Sequence, residues 1–274
     1  MMWAFVFVLF IIFATNIYTN KTIYMSLSKN KIKYIQSLKD KKHRSLNHTF
    51  VAEGEKIVLD LLHSCKCQLI AGLPDIVNRI NPSLAKEVII ATEEELKKAT
   101  HLKTAPPIIG VFYQPNVCEK DIDFSKGLHL ILDGVQDPGN LGTIVRIADW
   151  FGVKNIICSP NTTDIYNPKT VQSTMGAIAR VNTLYTDLNL FLEKNNSIPI
   201  YGTFLEGKNI YEERLSTNAF IIMGSEGKGI SQDIESRVSH KLLIPSYPKD
   251  RSTSESLNVA VATAIICSEF RRGM

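Results

Sequence analysis

Between residues 139 and 153 the chain reads GNLGTIVRIADWFGV, a largely apolar run that carries an amide at Asn140 and is interrupted by a guanidinium at Arg146. Leu141, Ile144, Ile147, Ala148 and Phe151 recur at helical spacing, so this stretch is expected to be an amphipathic helix entered through a turn. Asn140 stands where an N-cap should be, because an amide oxygen there can accept from an orphan backbone N–H. Arg146 offers a planar fork of donors suited to phosphate, and as a protonated guanidinium it is an implausible base. Spacing alone leaves two readings open: a cap and a solvated charge, or two parts of an active site.

Two further loops concentrate polar residues. MGSEGKGIS, residues 223 to 231, carries Glu226 among glycines that allow backbone to approach a flat ligand closely. IPSYPKDRSTSESLNVAVATAI, residues 244 to 265, carries Ser256 and Asn258 just before a helical run. Each has a structural alternative. Glu226 suits a helix's first turn, Ser256 and Asn258 suit caps of the last helix, and Gly134 and Gly139 suit turns. Other chemistries lack their signatures. No loop has P-loop spacing, and no G-x-G-x-x-G follows a strand. The Gly-Ser-Glu-Gly order is not a nucleophile elbow, and a Ser-His-Asp hydrolase lacks its histidine in all three loops. The five cysteines are scattered, and Cys65 and Cys67 have no second pair to complete a zinc knuckle. No metal is implied, and reduced thiols of a cytoplasmic protein fit best.

These loops need elements to hold them. Strands are expected at LHLILDG, KNIICSP, IPIYGTF, AFIIMG and KLLIP, each followed by a Gly-, Pro- or Ser-rich loop and usually a helix. Apolar runs without alternation, separated by helices, predict an α/β fold whose parallel sheet is covered on both faces. Ligands of such sheets bind at the carboxyl ends of the strands. Before this lies a smaller α/β unit: helix from residue 31, extended HTFVAEG, helix EKIVLDLLHS, short apolar runs at 68–70 and 88–90, and helix TEEELKKAT capped by Thr92. PPIIGVFYQP closes it as a strand. The polar NVCEKDIDFSKG reads as a linker, giving a small domain at 25–116, a linker at 117–126 and a larger domain at 127–274.

Composition is that of an ordinary globular protein, with 45% hydrophobic and 21% charged residues among 274 and a net charge of +4. Charge distribution says more. Residues 25–44 hold seven Lys or Arg against one Asp, which favours a phosphate-rich partner. A solvated helix face with Ile32, Ile35 and Leu38 turned inward is the alternative. The opening MMWAFVFVLFIIFA is about 14 apolar residues, short of the ~20 that span a bilayer. No Lys or Arg precedes it and no clean cleavage site follows. The favoured reading is that translation begins at Met25 and that residues 1–24 are upstream sequence; a membrane anchor or signal core is the alternative. No stable membrane association is expected.

In this order the three loops resemble the motifs of the SpoU, or TrmH-like, RNA ribose 2′-O-methyltransferases of the SPOUT superfamily. Asn140, Gly142 and Arg146 match N-x-G-x-x-x-R; Gly224, Glu226, Gly227 and Gly229 match G-x-E-G-x-G; Ile244 and Pro245, then Ser256, Leu257, Asn258 and Val259, match I-P and S-L-N-V. STMGAIARV, residues 173 to 181, is similar to the family's intervening helix, and residues 25–116 to its small RNA-binding domain. SYPKDRSTSE departs from the pattern: it is longer by about four residues and lacks the usual glycine.

The resemblance implies a C-terminal domain with a deep trefoil knot and a homodimer whose active sites are completed across the interface. It implies S-adenosylmethionine bent in the knot, its adenine held around Gly224, Ile244 and Leu257, with Thr203 lining the pocket. Arg146, Asn140, Glu226, Ser256 and Asn258 would form the catalytic group, with Arg146 clamping an RNA phosphate and orienting the attacking 2′-hydroxyl. Lys39, Lys41, Lys42 and Arg44 would contact RNA, either tRNA or rRNA. A base methyltransferase on the same fold and a non-catalytic RNA-binding protein are the rivals. The second predicts loss of Asn140 or Arg146, and both are present.

Overall fold

The computed structural model describes residues 23–24, 26–248 and 256–272, and the chain divides after Pro115 into two units. Residues 1–22 of the leader and the central part of the long loop after Pro245 fall outside the described residues.

The first unit runs β1 (Ile23–Tyr24), α1 (Lys29–Ser37), α2 (Lys41–Asn47), β2 (Thr49–Glu53), α3 (Glu55–Leu62), β3 (Cys67–Gly72), α4 (Pro74–Val77), β4 (Ala85–Ile90), α5 (Glu93–Ala99) and β5 (Ile108–Tyr113). Its sheet has the order β1-β4-β3-β5-β2. β5 is antiparallel to both its neighbours, while β3 and β1 lie parallel to β4. The edge therefore takes in two residues that precede Met25. Thr92 caps α5 as expected, with Glu95 completing a capping box.

The basic stretch is two helices rather than one. Ile35 and Leu38 are fully buried, as an inward face requires. Arg44 is buried too, and its guanidinium Nη1 donates to the carbonyls of Leu38 at 2.8 Å and Lys39 at 2.6 Å. It thereby satisfies acceptors that α1 leaves open where it ends. The expectation that Arg44 contacts RNA is corrected: its charged donors are used inside the fold. Lys39, Lys41 and Lys42 are exposed.

The second unit runs β6 (Leu128–Asp133), α6 (Pro138–Trp150), β7 (Asn155–Cys158), α7 (Pro168–Ser173), β8 (Asn182–Tyr185), α8 (Leu188–Lys194), β9 (Ile200–Asn209), β10 (Ala219–Gly224), α9 (Gln232–Glu235), β11 (His240–Leu243) and α10 (Val259–Arg271). The strands form a six-stranded sheet, β11-β9-β10-β6-β7-β8, and every neighbouring pair is parallel. Successive side chains of a strand point to opposite faces, and both faces are covered. Leu130, Leu132 and Ile221 join Leu141 and Ile144 of α6 and Ile266 of α10 in one cluster. Ile131, Phe220 and Ile222 join Phe191 and Leu192 of α8 in the other. Each fully buried side chain of this kind contributes roughly 1.5–3 kcal/mol, which is why the strands lack polar alternation.

Three local differences from expectation have physical causes. Phe124, in the expected linker, is buried with its ring centroid 5.1 Å from that of Phe191, so that stretch belongs partly to the core. β8 is a four-residue edge strand, partly exposed and too polar to read as a strand. STMGAIARV is not a helix. α7 precedes it, and Met175 (φ 51°) and Gly176 (φ 95°) turn the chain, leaving a single 3₁₀ turn at Ala177–Ala179.

Candidate active site

The loops after β6 and β10 leave adjacent parallel strands at the same carboxyl edge, where Asp133 and Gly224 stand in register. The first two polar loops therefore start side by side. The third approaches from the N-terminus of α10, which packs on α6.

Asn140 is not the cap of α6. Asp137 is, and its Oδ1 accepts from the Asn140 N–H at 2.8 Å. That N–H first, and Lys169 at 3.1 Å second, hold the Asp137 carboxyl below its ordinary range. The signal was present in the sequence as Asp137-Pro138, a cap residue followed by proline at the first helical position. With capping done by Asp137, the Asn140 amide is released for other work.

Asn258 does cap its helix. Its Oδ1 accepts from the N–H groups of Ala260 at 2.9 Å and Val261 at 3.3 Å. These donors fix which end of the amide is oxygen, so Nδ2 must point outward, and it donates to Asn140 Oδ1 at 3.0 Å. Asn140 Oδ1 being occupied, its Nδ2 donates to Glu226 Oε1. The polarity of the chain is set from one end: helix N-terminus, Asn258, Asn140, Glu226. Glu226 must be an acceptor at this point, and one of its oxygens is committed.

Glu226 also lines a cleft of about 600 Å³, with Thr203, Gly224, Ile244, Ser256 and Leu257 among the other lining residues. All four residues expected at the cofactor are brought to this one space. It lies within the usual range for a small-molecule pocket, roughly 300–1,000 Å³. Apolar side chains at Ile244, Leu257 and Val259 face it alongside the polar 224–229 backbone. That mixture suits a ligand with a flat ring and polar edges, as S-adenosylmethionine has. Among the described residues, no group of three His, Cys, Asp or Glu could hold a metal ion.

Gly224 owes its identity first to the protein itself. A Cβ there would lie 2.1 Å from the carbonyl carbon of Gly229 and 2.3 Å from the nitrogen of Ile230. The loop folds back on it, closed by Ser225 N to Gly229 O at 3.0 Å and Gly229 N to Ser225 O at 2.9 Å. Gly142 has a similar cause: its Cβ would meet Thr170 O at 2.6 Å and Ser173 Cβ at 2.5 Å. This glycine lets α6 and α7 touch.

Arg146 is exposed, on the same side of α6 as Trp150 one turn on, whose side chain is 84% exposed. Among the described residues it makes no hydrogen bond or ion pair, and it is not one of the residues lining the cleft. The fold thus gathers Asn140, Glu226, Ser256 and Asn258, and leaves Arg146 facing outward. Sequence reasoning missed Asp133, Asp137 and Lys169.

The family model described as SpoU rRNA Methylase family matches residues 127–268, and that of the MRM3-like substrate binding domain matches residues 29–110. The 23S rRNA (guanosine(2553)-2′-O)-methyltransferase RlmP of Bacillus subtilis is 30% identical over 252 residues, spanning 90% of this chain and 98% of its own. A putative TrmH-family RNA methyltransferase structure from Porphyromonas gingivalis superposes with a TM-score of 0.82 at 38% identity, covering 90% of this chain and 99% of that one. An AdoMet-bound rRNA methyltransferase from Sinorhizobium meliloti gives 0.83 at 28% identity, covering 92% and 98%.

Proposed function

Because this chain belongs to the SpoU rRNA methylase family, we propose that it transfers a methyl group from S-adenosylmethionine to a ribose 2′-hydroxyl of ribosomal RNA. The observation that carries the site assignment is the hydrogen-bonded chain Asn258–Asn140–Glu226, drawn from three loops to the edge of one cleft. Bound S-adenosylmethionine supplies an electrophilic methyl on its sulfonium. The protein's task is positioning, which can be worth several orders of magnitude. Ile244, Leu257 and the backbone beside Gly224 hold the cofactor's ring, with Thr203 beside them. Glu226, with one oxygen fixed by Asn140, presents the other to the incoming ribose or to a guanidinium. Ser256 offers a hydroxyl at the same cleft.

Arg146 enters from a second copy of the chain. Supporting this are its outward position and the exposed Trp150 and Val261 on the two helices that pack together, α6 and α10. In the same reading the last strands of the second unit thread into a trefoil knot. Lys39, Lys41 and Lys42 of the first unit grip phosphates, and the enzyme works in the cytoplasm. Among the described residues no helix is long and apolar enough to cross a membrane.

The test is methyl incorporation into rRNA transcripts from labelled S-adenosylmethionine, with the product mapped by resistance to alkaline cleavage. A methyl found on a base instead would select the rival chemistry. Mixing Arg146→Ala protein with Glu226→Gln protein tests the shared site. Each variant is expected to be strongly impaired alone, while heterodimers regain one intact site. No recovery after subunit exchange would place Arg146 outside the partner's site.

A further inference from the structure

Asp133 ends β6, one of the two central strands of the second unit, and is buried. Its Oδ2 accepts the backbone N–H of Ser231 at 2.8 Å, across 98 residues of sequence. Ser231 is the residue at which the 225–230 loop ends and α9 begins. The other end of that loop, Gly224, is already paired with Asp133 through the sheet. One residue thus holds both feet of the loop that carries Glu226.

The same residue also starts the other loop. Gly134 follows it with φ 72° and donates its N–H to the buried Ser159 hydroxyl at 2.9 Å. Three residues later Asp137 caps α6 and places Asn140. Asn140 and Glu226 therefore meet at the far ends of two short loops sharing Asp133 as their common base.

We propose that Asp133 is a positioning residue for methyl transfer: it sets the register between the two loops and so the contact of Asn140 with Glu226. It touches neither cofactor nor RNA and acts through Glu226. The inference rests on the reading of Glu226 as part of the active site. A backbone-directed carboxylate is well suited to this task, because it is short, buried and needs no partner side chain.

The variants are Asp133→Ala, Asp133→Asn, Glu226→Gln and Asp133→Ala combined with Glu226→Gln. The readouts are turnover per folded molecule and amide hydrogen exchange across 224–231. Losing the tether shifts the loop by a distance of order 1 Å, so Asp133→Ala should lower turnover about a hundredfold. Exchange at Ser231 and through the loop should speed up in the same protein. Asp133→Asn keeps an acceptor oxygen and should recover most of the rate. In the Glu226→Gln background, adding Asp133→Ala should cost little further, because both changes break one unit. Near-normal turnover in Asp133→Ala would overturn the proposal, and so would losses that multiply in the double variant. An unchanged exchange rate at Ser231 would overturn it even if wild-type protein proved inactive on rRNA, a result that would count separately against the proposed function.

Discussion

Arg146→Ala separates a spare surface charge from a working one. Arg146 is exposed and makes no hydrogen bond or ion pair among the described residues, so its removal should cost under about 0.5 kcal/mol. For a unit of this size, 1 kcal/mol moves the melting temperature by roughly 2–4 °C, so the expected change is at most about 2 °C. Turnover should fall about a hundredfold or more, the scale seen when a group stabilising developing charge is removed, or some 2.7 kcal/mol of barrier. Arg180 provides the control. Its Nε and Nη2 reach Asp149 of α6 at 3.0 and 2.9 Å, a partly exposed pair worth roughly 0.2–1 kcal/mol. Arg180→Ala should therefore melt lower than Arg146→Ala yet keep its rate. Arg146→Lys should rescue poorly, because an ammonium cannot reproduce the two-pronged grip on phosphate. Melting curves, calorimetric S-adenosylmethionine affinity and methylation rates on the four proteins make the measurement. A near-normal rate in Arg146→Ala would refute the assignment and leave GNLGTIVR a helix with a solvated cation.

Three other outcomes are expected. Changing Lys39, Lys41 and Lys42 to Gln should weaken RNA binding and flatten its salt dependence by roughly one to two units of slope, whereas Arg44→Gln should lower the melting temperature, since the two carbonyls it satisfies would lose their charged donor. Gly142→Ala should destabilise by about 1–3 kcal/mol through overpacking of α6 against α7, read as a melting shift of about 2–12 °C. His129, buried beside Phe124 and Phe220 with Nδ1 3.3 Å from Asn155 Nδ2, has its pKa pushed down by burial from the ordinary 6.5. The unfolded chain binds that proton more readily, so the stabilisation is fully present above pH 6.5 and is lost as the pH falls below it. Denaturant titrations from pH 8 to pH 5 should show this loss, and His129→Gln should flatten it.

Much of the site could be read because the sheet does simple work. A parallel sheet with both faces covered needs continuous apolar strands, and it delivers its loops to one edge. Hence the runs at LHLILDG and AFIIMG announced the strands and the edge to which they deliver their loops, whereas the meeting of Asn140 with Glu226 needs β6 and β10 to be neighbours. What stayed hidden depends on contacts that the folded chain makes and no local pattern encodes. Arg44 looks like its lysine neighbours in sequence, and only the break between α1 and α2 turns it inward to Leu38 and Lys39. Phe124 sits in a polar stretch, and its burial against Phe191 follows from the position of α8. Asp133 reads as the last residue of a strand, and its bond to Ser231 appears only when β6 and β10 lie side by side.

The two asparagines reach the cleft by different routes, Asn258 while capping its helix and Asn140 because it does not cap one. An amide has one accepting and one donating end. When backbone N–H groups of α10 take the oxygen of Asn258, its nitrogen is forced outward with a defined polarity. That polarity passes through Asn140, which is free to receive it because Asp137 has taken over the capping of α6. It ends on the Glu226 carboxylate, which accepts without needing to donate. Capping at α10 is therefore the origin of the arrangement at Glu226: the helix end supplies the direction, and the two amides carry it to the cleft.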